Sequence, residues 1–370
     1  MNVRLRRLFF AAAALLLPWT MGFAALQGSV AKAQAQSPQA SAPVDAQPEV
    51  DSPYKLKADA TLVVVDVVIT DDLGNVLGGL RGGNFRIIDD GKPQQILSFS
   101  PTSEPITVVL LMEYSSHSYN YYAAKAADWA NAFLNQLDPK DWVALVTYDI
   151  KSKVQVDFTH RRNEVREAIY ALGFPQFSDA NLFDALNETL DKVDGVRSRK
   201  SILLLSTGAN TFSASTLDEV MSRLRRTNTT IFSVGLAEGE FVRSGGSGTS
   251  YVQGKNWLNE FAKRTGGIAF FPRFQGELPD IFRSITGFLR NQYTLAYRLP
   301  KEQRDGRYHR IKVEVIDADG QPLKFTDEKG KKRKIIVHAR EGYIAPNYSR
   351  EQVSSLTYRV HDVPKAEKGD

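Results

Sequence analysis

The side chains able to do chemistry in this 370-residue chain are few, and most sit in patterns that exclude a reaction. There is no cysteine, which removes disulfides, thiolate metal sites, thiol nucleophiles and a lipid-anchoring cysteine together. Five histidines (117, 160, 309, 338 and 361) are scattered, with no H-E-x-x-H and no G-x-S-x-G among them. The turn Asp317-Ala318-Asp319-Gly320 invites a calcium reading, but an EF-hand loop needs glycine at its sixth position, where Pro322 stands. A plain hairpin turn is expected there. The run from Gly245 to Ser250 fails as a phosphate loop: Gly248 to Gly254-Lys255 is one residue too long, and Asn256 replaces the required Ser or Thr. A flexible surface insertion is expected instead. The basic stretch Lys329-Gly330-Lys331-Lys332-Arg333-Lys334 reads as a solvated hairpin loop. That leaves Glu113-Tyr114-Ser115-Ser116-His117, which brings a carboxylate, hydroxyls and an imidazole to the end of an apolar run.

The elements around that run say why it matters. ITVVLLME (106–113) is continuously apolar, as a strand covered on both faces must be. Tyr122, Ala126, Trp129, Phe133 and Leu137 then recur at helical spacing. DWVALVTYD (141–149) is a strand, against which KVQVDFT (153–159) hairpins. Helical patterns at 162–172 and 181–194, the strand SILLLST, a helix near 215–226, the strand TTIFSVGL, a helix near 256–265, the strand GIAFF and a helix at 277–290 complete the series. This alternation predicts a doubly wound, mainly parallel α/β sheet over 105–290. In such sheets ligands gather at the carboxyl ends of the strands, which is where Glu113–His117 falls.

The flanks differ. Residues 58–104 (TLVVVDVVIT, NFRIIDD, QQILSFS) and 291–347 (YTLAYRL, HRIKVEVIDADGQPLKF, KKRKIIVHA) are short strands separated by turns. VVVDVVITDDLGN and IKVEVIDADGQ are alike, each a strand ending in an acidic turn. Neither block alone covers both faces of a sheet. We therefore expect the two to pair into one β-sandwich-like domain with the α/β domain inserted.

Outside these, residues 1–35 read as a signal peptide: Arg4, Arg6 and Arg7 precede the apolar LFFAAAALLL, and A-x-A patterns end at Ala33 and Ala35. Residues 36–57 form a Pro/Gln/Ala/Ser-rich linker, and 348–370 a disordered tail. The formal charge is +5, but residues 1–35 carry four basic and no acidic residues, so a processed chain has 43 basic against 42 acidic. Charge thus gives no reason to expect a nucleic-acid partner. No second long apolar run predicts a membrane span in the mature chain. The expectation is an exported protein, periplasmic or secreted.

VVLLMEYSS, DWVALVTYD followed by VDFT, ANLFDALNETL and SILLLSTGANT, in that order and spacing, resemble a von Willebrand factor type A domain. GNFRIIDDGKPQQILSF and the ending REGYIAP resemble the VWFA-related family first noted in acidobacteria. The resemblance implies a protein-binding or adhesion module, not an enzyme. It also implies a place for a metal-ion-dependent adhesion site: Asp-x-Ser-x-Ser after the first strand, a Thr before a helix, and an Asp after a later strand. Such a site offers oxygens to a hard ion at ~2.1 Å. Here the five positions are Glu113, Ser115, His117, Ala180 and Thr207. Only Ser115 keeps the pattern, and one carboxylate stands where the family has two. The expectation is a degenerate, metal-free site with no cofactor. The alternative is a remodelled divalent-ion (Mg²⁺) site, with Ser118 in the place of His117 and Asp179 lending an oxygen beside Ala180. Tyr114, Tyr119, Tyr121 and Asp179 are the expected contacts with a protein partner, since tyrosine is a favoured interface anchor.

Overall fold

The computed structural model describes residues 62–347, except 102–103, 124, 197, 237 and 301–302. The expected signal peptide, linker and tail lie outside the described residues. In chain order the elements are β1 (Leu62–Asp71), β2 (Phe85–Asp89), β3 (Lys92–Gln94), β4 (Ile96–Pro101) and β5 (Ile106–Glu113). Next come α1 (Ser116–Tyr119), α2 (Ala126–Leu134), β6 (Trp142–Tyr148), β7 (Ser152–Thr159), α3 (Arg162–Tyr170), α4 (Leu182–Asp194) and β8 (Arg199–Leu205). They are followed by α5 (Leu217–Arg226), β9 (Thr230–Val234), α6 (Glu238–Arg243), α7 (Gly248–Arg264), β10 (Ala269–Phe270) and α8 (Leu278–Arg290). The chain closes with β11 (Tyr293–Arg298), β12 (Tyr308–Val315), β13 (Phe325–Thr326), β14 (Lys332–Arg333), β15 (Ile335–Ala339) and β16 (Gly342–Ile344).

The middle of the chain is a six-stranded sheet in the order β10-β9-β8-β5-β6-β7, parallel except for β7, which hairpins onto β6. All eight residues of β5 are buried. Its side chains alternate between two cores, as a strand's must: Val108, Leu110 and Met112 pack with Trp129, Phe133 and Phe282, while Val109 and Leu111 pack with Leu186, Leu190 and Phe261.

α6 was not expected, and α2 and α7 start elsewhere than their apolar periods suggest. The face Tyr122–Leu137 is buried throughout, yet α2 begins only at Ala126. The Tyr122 carbonyl, which a longer helix would offer to the Ala126 N–H, instead accepts the Trp129 indole at 2.8 Å, and Ala126 bonds Ala123. The glycine-rich run 245–250 is also no loose insertion. Ser247 accepts a hydrogen bond from the Ser250 N–H and caps α7, which starts eight residues earlier than its apolar period suggests because Tyr251 and Gly254 join Leu258 and Phe261 on the buried face.

The flanking strands build two four-stranded antiparallel sheets, β15-β1-β11-β4 and β16-β12-β2-β3. As expected, N- and C-terminal strands share both: β1 lies between β11 and β15, and β2 pairs with β12. Inward residues Val63, Val65, Val67, Ile87, Leu295, Tyr297, Ile311 and Val313 form one core between the sheets. β12 buries every second residue, the mark of a sheet with one dry face. The inserted domain leaves at the end of β4 and returns at the start of β11, and these two ends are register partners, Pro101 opposite Tyr293.

Three acidic turns repeat one design. Asp71, Asp317 and Asp327 each accept, through Oδ1, the N–H groups two and four residues on, and Gly74, Gly320 and Gly330 take the positive φ each turn requires. The Asp317 carboxylate is therefore spent on its own hairpin. The basic run 329–334 forms the turn and return strand of the β13–β14 hairpin.

Candidate functional site

β5 and β8 are adjacent and parallel, so Glu113 at the end of one faces Ser206 and Thr207 just past the end of the other. Glutamate's extra methylene lets the carboxylate cross to β8. There Oε1 accepts the Ser115 hydroxyl at 2.6 Å, and Oε2 accepts the Ser206 hydroxyl at 3.0 Å and the Thr207 N–H at 2.7 Å. The Thr207 hydroxyl lies 2.8 Å from Oε2 and 3.0 Å from Oε1, shared between them. Four donors thus enclose one carboxylate that is only 1% exposed.

The cage is itself supported. Ser206 Oγ accepts from the Tyr148 hydroxyl at 2.7 Å and the Gly208 N–H at 2.8 Å. The Tyr122 hydroxyl donates to the Ser206 and Val234 carbonyls, tying the ends of β8 and β9. Burial raises the Glu113 carboxyl above the ordinary glutamate range, and the Ser115, Thr207 and Ser206 hydrogen bonds pull it partly back. Burial also pushes the Tyr122 and Tyr148 phenols well up, with the Glu113 carboxylate adding to both, so they stay protonated donors.

The other expected site residues divide between cage and surface. Ser118, buried within α1, accepts the N–H of the N-cap residue Ser115 at 3.2 Å and donates to the Glu113 carbonyl at 2.8 Å. His117 turns away: its Nδ1 is 2.5 Å from the Ser244 carbonyl, and its ring faces Phe241. Ala180 is buried against Leu182 and Phe183 and brings no oxygen. Asp179 is half-buried beside it. Tyr114 and Tyr119 are half-buried at the rim. Tyr121 is a correction: it is 1% exposed, edge-on to Tyr122 in the core, and offers no surface to a partner.

Sequence reasoning overlooked the phenylalanines around the same strand ends. Phe174 is 82% exposed and lies tilted against Tyr119, ring centroids 4.8 Å apart, and Tyr119 in turn meets Tyr114 edge-on. Phe177 lies beside Ser116, whose N–H bonds its carbonyl. Phe212, 71% exposed, belongs to the loop after β8, which is pinned to the start of α4 through Asn181. The available signal was Phe174 and Phe177 in GFPQF, a Gly/Pro segment with no helical period to bury them.

Residues 107–283 match the profile of the von Willebrand factor type A domain, and this chain contains such a domain. No curated protein matches the sequence. Among solved structures, a von Willebrand factor type A protein from Catenulispora acidiphila is similar over 82% of this chain and 80% of its own, at 12% identity and TM-score 0.41. The conserved hypothetical protein BatB from Bacteroides thetaiotaomicron is similar over 50% of this chain and 100% of its own (14% identity, TM-score 0.40). The vWF domain of the type V pili tip protein Mfa5 from Porphyromonas gingivalis is similar over 51% and 96% (12% identity, TM-score 0.40). Among the described residues, no helix is long and apolar enough to cross a membrane.

Proposed function

We propose that this protein is an exported, adhesion-type protein-interaction module whose type A domain works without a metal ion. The observation that carries this is the closed cage around Glu113. A hard divalent ion needs about six oxygen ligands with lone pairs directed at it. At this position the single carboxylate already accepts four protein donors, and Ala180 supplies no ligand. The residues present do not fit the ion. Internal hydrogen bonds do the work of holding the ends of β5 and β8 together.

The partner surface is then the aromatic rim outside the cage: Tyr114, Tyr119, Phe174, Phe177 and Phe212. Exposed Phe174, Phe177 and Phe212 beside half-buried Tyr114 and Tyr119 have the composition of an interface anchor. Asp179 lies within the same loops. Because Glu113, Ser115, Ser118 and Thr207 are sealed from solvent, no substrate reaches them, which supports a binding role over an enzymatic one. Export rests on the signal-like composition of residues 1–35.

The test is capture of partner proteins from the exported fraction of the producing cell, with and without EDTA. Capture that is indifferent to EDTA and Mg²⁺, and lost in Tyr119→Ala and Phe174→Ala, is the expected result. Capture abolished both by EDTA and by Ser115→Ala would instead support the remodelled metal site.

A further inference from the structure

A second cluster lies in the β-sandwich, away from the type A strand ends, where Asp89, Asp90 and His309 bring three ligand atoms within 4.8 Å of one another. Asp89 ends β2, Asp90 opens the β2–β3 turn, and His309 is the second residue of β12. Each side chain is gripped on one side and free on the other. Asp89 Oδ2 accepts the Tyr297 and Tyr343 hydroxyls, both at 2.8 Å. Asp90 Oδ1 accepts the Arg310 N–H at 2.8 Å. His309 Nε2 lies 3.1 Å from Asp305 Oδ1. A carboxylate oxygen only accepts, so Nε2 carries a proton and Nδ1 is the ring nitrogen turned toward the two carboxylates.

The three ungripped atoms converge. His309 Nδ1 is 2.9 Å from Asp90 Oδ2 and 3.5 Å from Asp89 Oδ1. Neither approach has hydrogen-bond geometry, and Nδ1 and Asp89 Oδ1, both deeply buried, have no hydrogen-bond partner. Two carboxylate oxygens and an imidazole nitrogen thus gather about one spot without a hydrogen bond among them, and an ion bound there would displace any proton from Nδ1. The 2.9 and 3.5 Å spacings are edges that ligands held about 2.0–2.2 Å from a common ion span, and the two carboxylate oxygens need only draw together about it. The grips on Asp89 Oδ2, Asp90 Oδ1 and His309 Nε2 are the outer contacts that orient metal ligands.

We propose that Asp89, Asp90 and His309 bind a divalent transition ion of the zinc class, which pins the β2–β3 turn to β12. One imidazole nitrogen and two carboxylate oxygens suit Zn²⁺ better than Mg²⁺ or Ca²⁺. Asp90, the exposed member, opens the site to solvent, where water completes the coordination. The ion is independent of the Glu113 cage.

The experiment is titration of the chelator-treated full chain with Zn²⁺, and with Co²⁺ for its visible absorption, alongside thermal melting. The expected result is one ion per chain, a rise in melting temperature, and nitrogen–oxygen ligation in the cobalt spectrum. Asp90→Asn and Asp305→Asn, both at partly exposed side chains, should retain the fold and weaken binding about tenfold or more. Ser115→Ala should bind as the parent does. Absence of binding at millimolar Zn²⁺, or binding unchanged in Asp90→Asn and Asp305→Asn, would overturn the proposal. So would binding lost in Ser115→Ala alone, which would relocate the ion to the strand ends and count against the metal-free type A site.

Discussion

Replacing Glu113 by alanine tests whether the cage holds the strand ends together. The substitution leaves the Thr207 N–H without its acceptor in a buried site, and that group cannot rotate to another. One orphaned buried donor costs about 1–3 kcal/mol. The Ser115 hydroxyl can turn toward Ser118, 3.5 Å away, and Thr207 Oγ still accepts the Ala209 N–H, so their losses are partial. With the cavity left by the side chain, the expected cost is about 2–4 kcal/mol in urea unfolding. Thr207→Val removes the shared donor and also the acceptor of the Ala209 N–H, and should cost about 1–2 kcal/mol. The two must couple: in the double variant the second substitution should cost at least about 0.5 kcal/mol less than it does alone. The sign of the pH dependence follows from burial. A carboxyl raised above 4.5 contributes its full stabilisation below that value and loses it as pH climbs through the folded-state value. The penalty of Glu113→Ala should therefore shrink from mildly acid to alkaline pH. A penalty below about 1 kcal/mol at every pH, or strict additivity with Thr207→Val, would refute the cage as a structural element.

Two other sites give sharp expectations. Asp141 is buried, accepts the Ile106 and Asp138 N–H groups and pairs with Arg290, so it joins the starts of β5 and β6 to the end of α8. Asp141→Ala should destabilise by about 3 kcal/mol or more, read by chemical unfolding. Gly208 has φ +80°, and a Cβ there would lie 2.4 Å from Gly254 Cα of α7. Gly208→Ala should lower the melting temperature by several degrees, since about 1–3 kcal/mol of strain enters a packed contact. Gly239→Ala, where nothing lies within 4 Å, is the control and should melt as the parent does.

The α/β domain was legible because β5 and the ILLL end of β8 are apolar runs, β9 is β-branched and aromatic, and the helices between them keep their period. The sandwich was legible from the likeness of its two acidic-turn segments, and Asp71 and Asp317 do make the same turn. What sequence could not supply was side-chain direction. Tyr119 and Tyr121 are two residues apart, yet one reaches the rim and the other the core, because Tyr119 ends α1 and Tyr121 lies in the turn after it, where its N–H bonds the Ser118 carbonyl. His117 follows the pattern position of a ligand but turns to the Ser244 carbonyl, a partner 127 residues away. The clustering of Asp89, Asp90 and His309 depends on the β2–β12 register, which no local pattern encodes.

That long-range register bears on how the chain reaches its fold. β1 is the most β-branched segment described, and its sheet neighbours, β11 and β15, both come from the far end; the Thr294 hydroxyl that bonds Asp66 is 228 positions away. A ribosome makes β1 early and its partners only after the whole inserted domain. Until then the segment is a bare template for pairing with other chains. The inserted domain has its own cores and can fold first, delivering Pro101 and Tyr293 side by side. Any delay in that domain lengthens the time β1 waits unpaired, so defects far from the sandwich should show themselves as aggregation through β1.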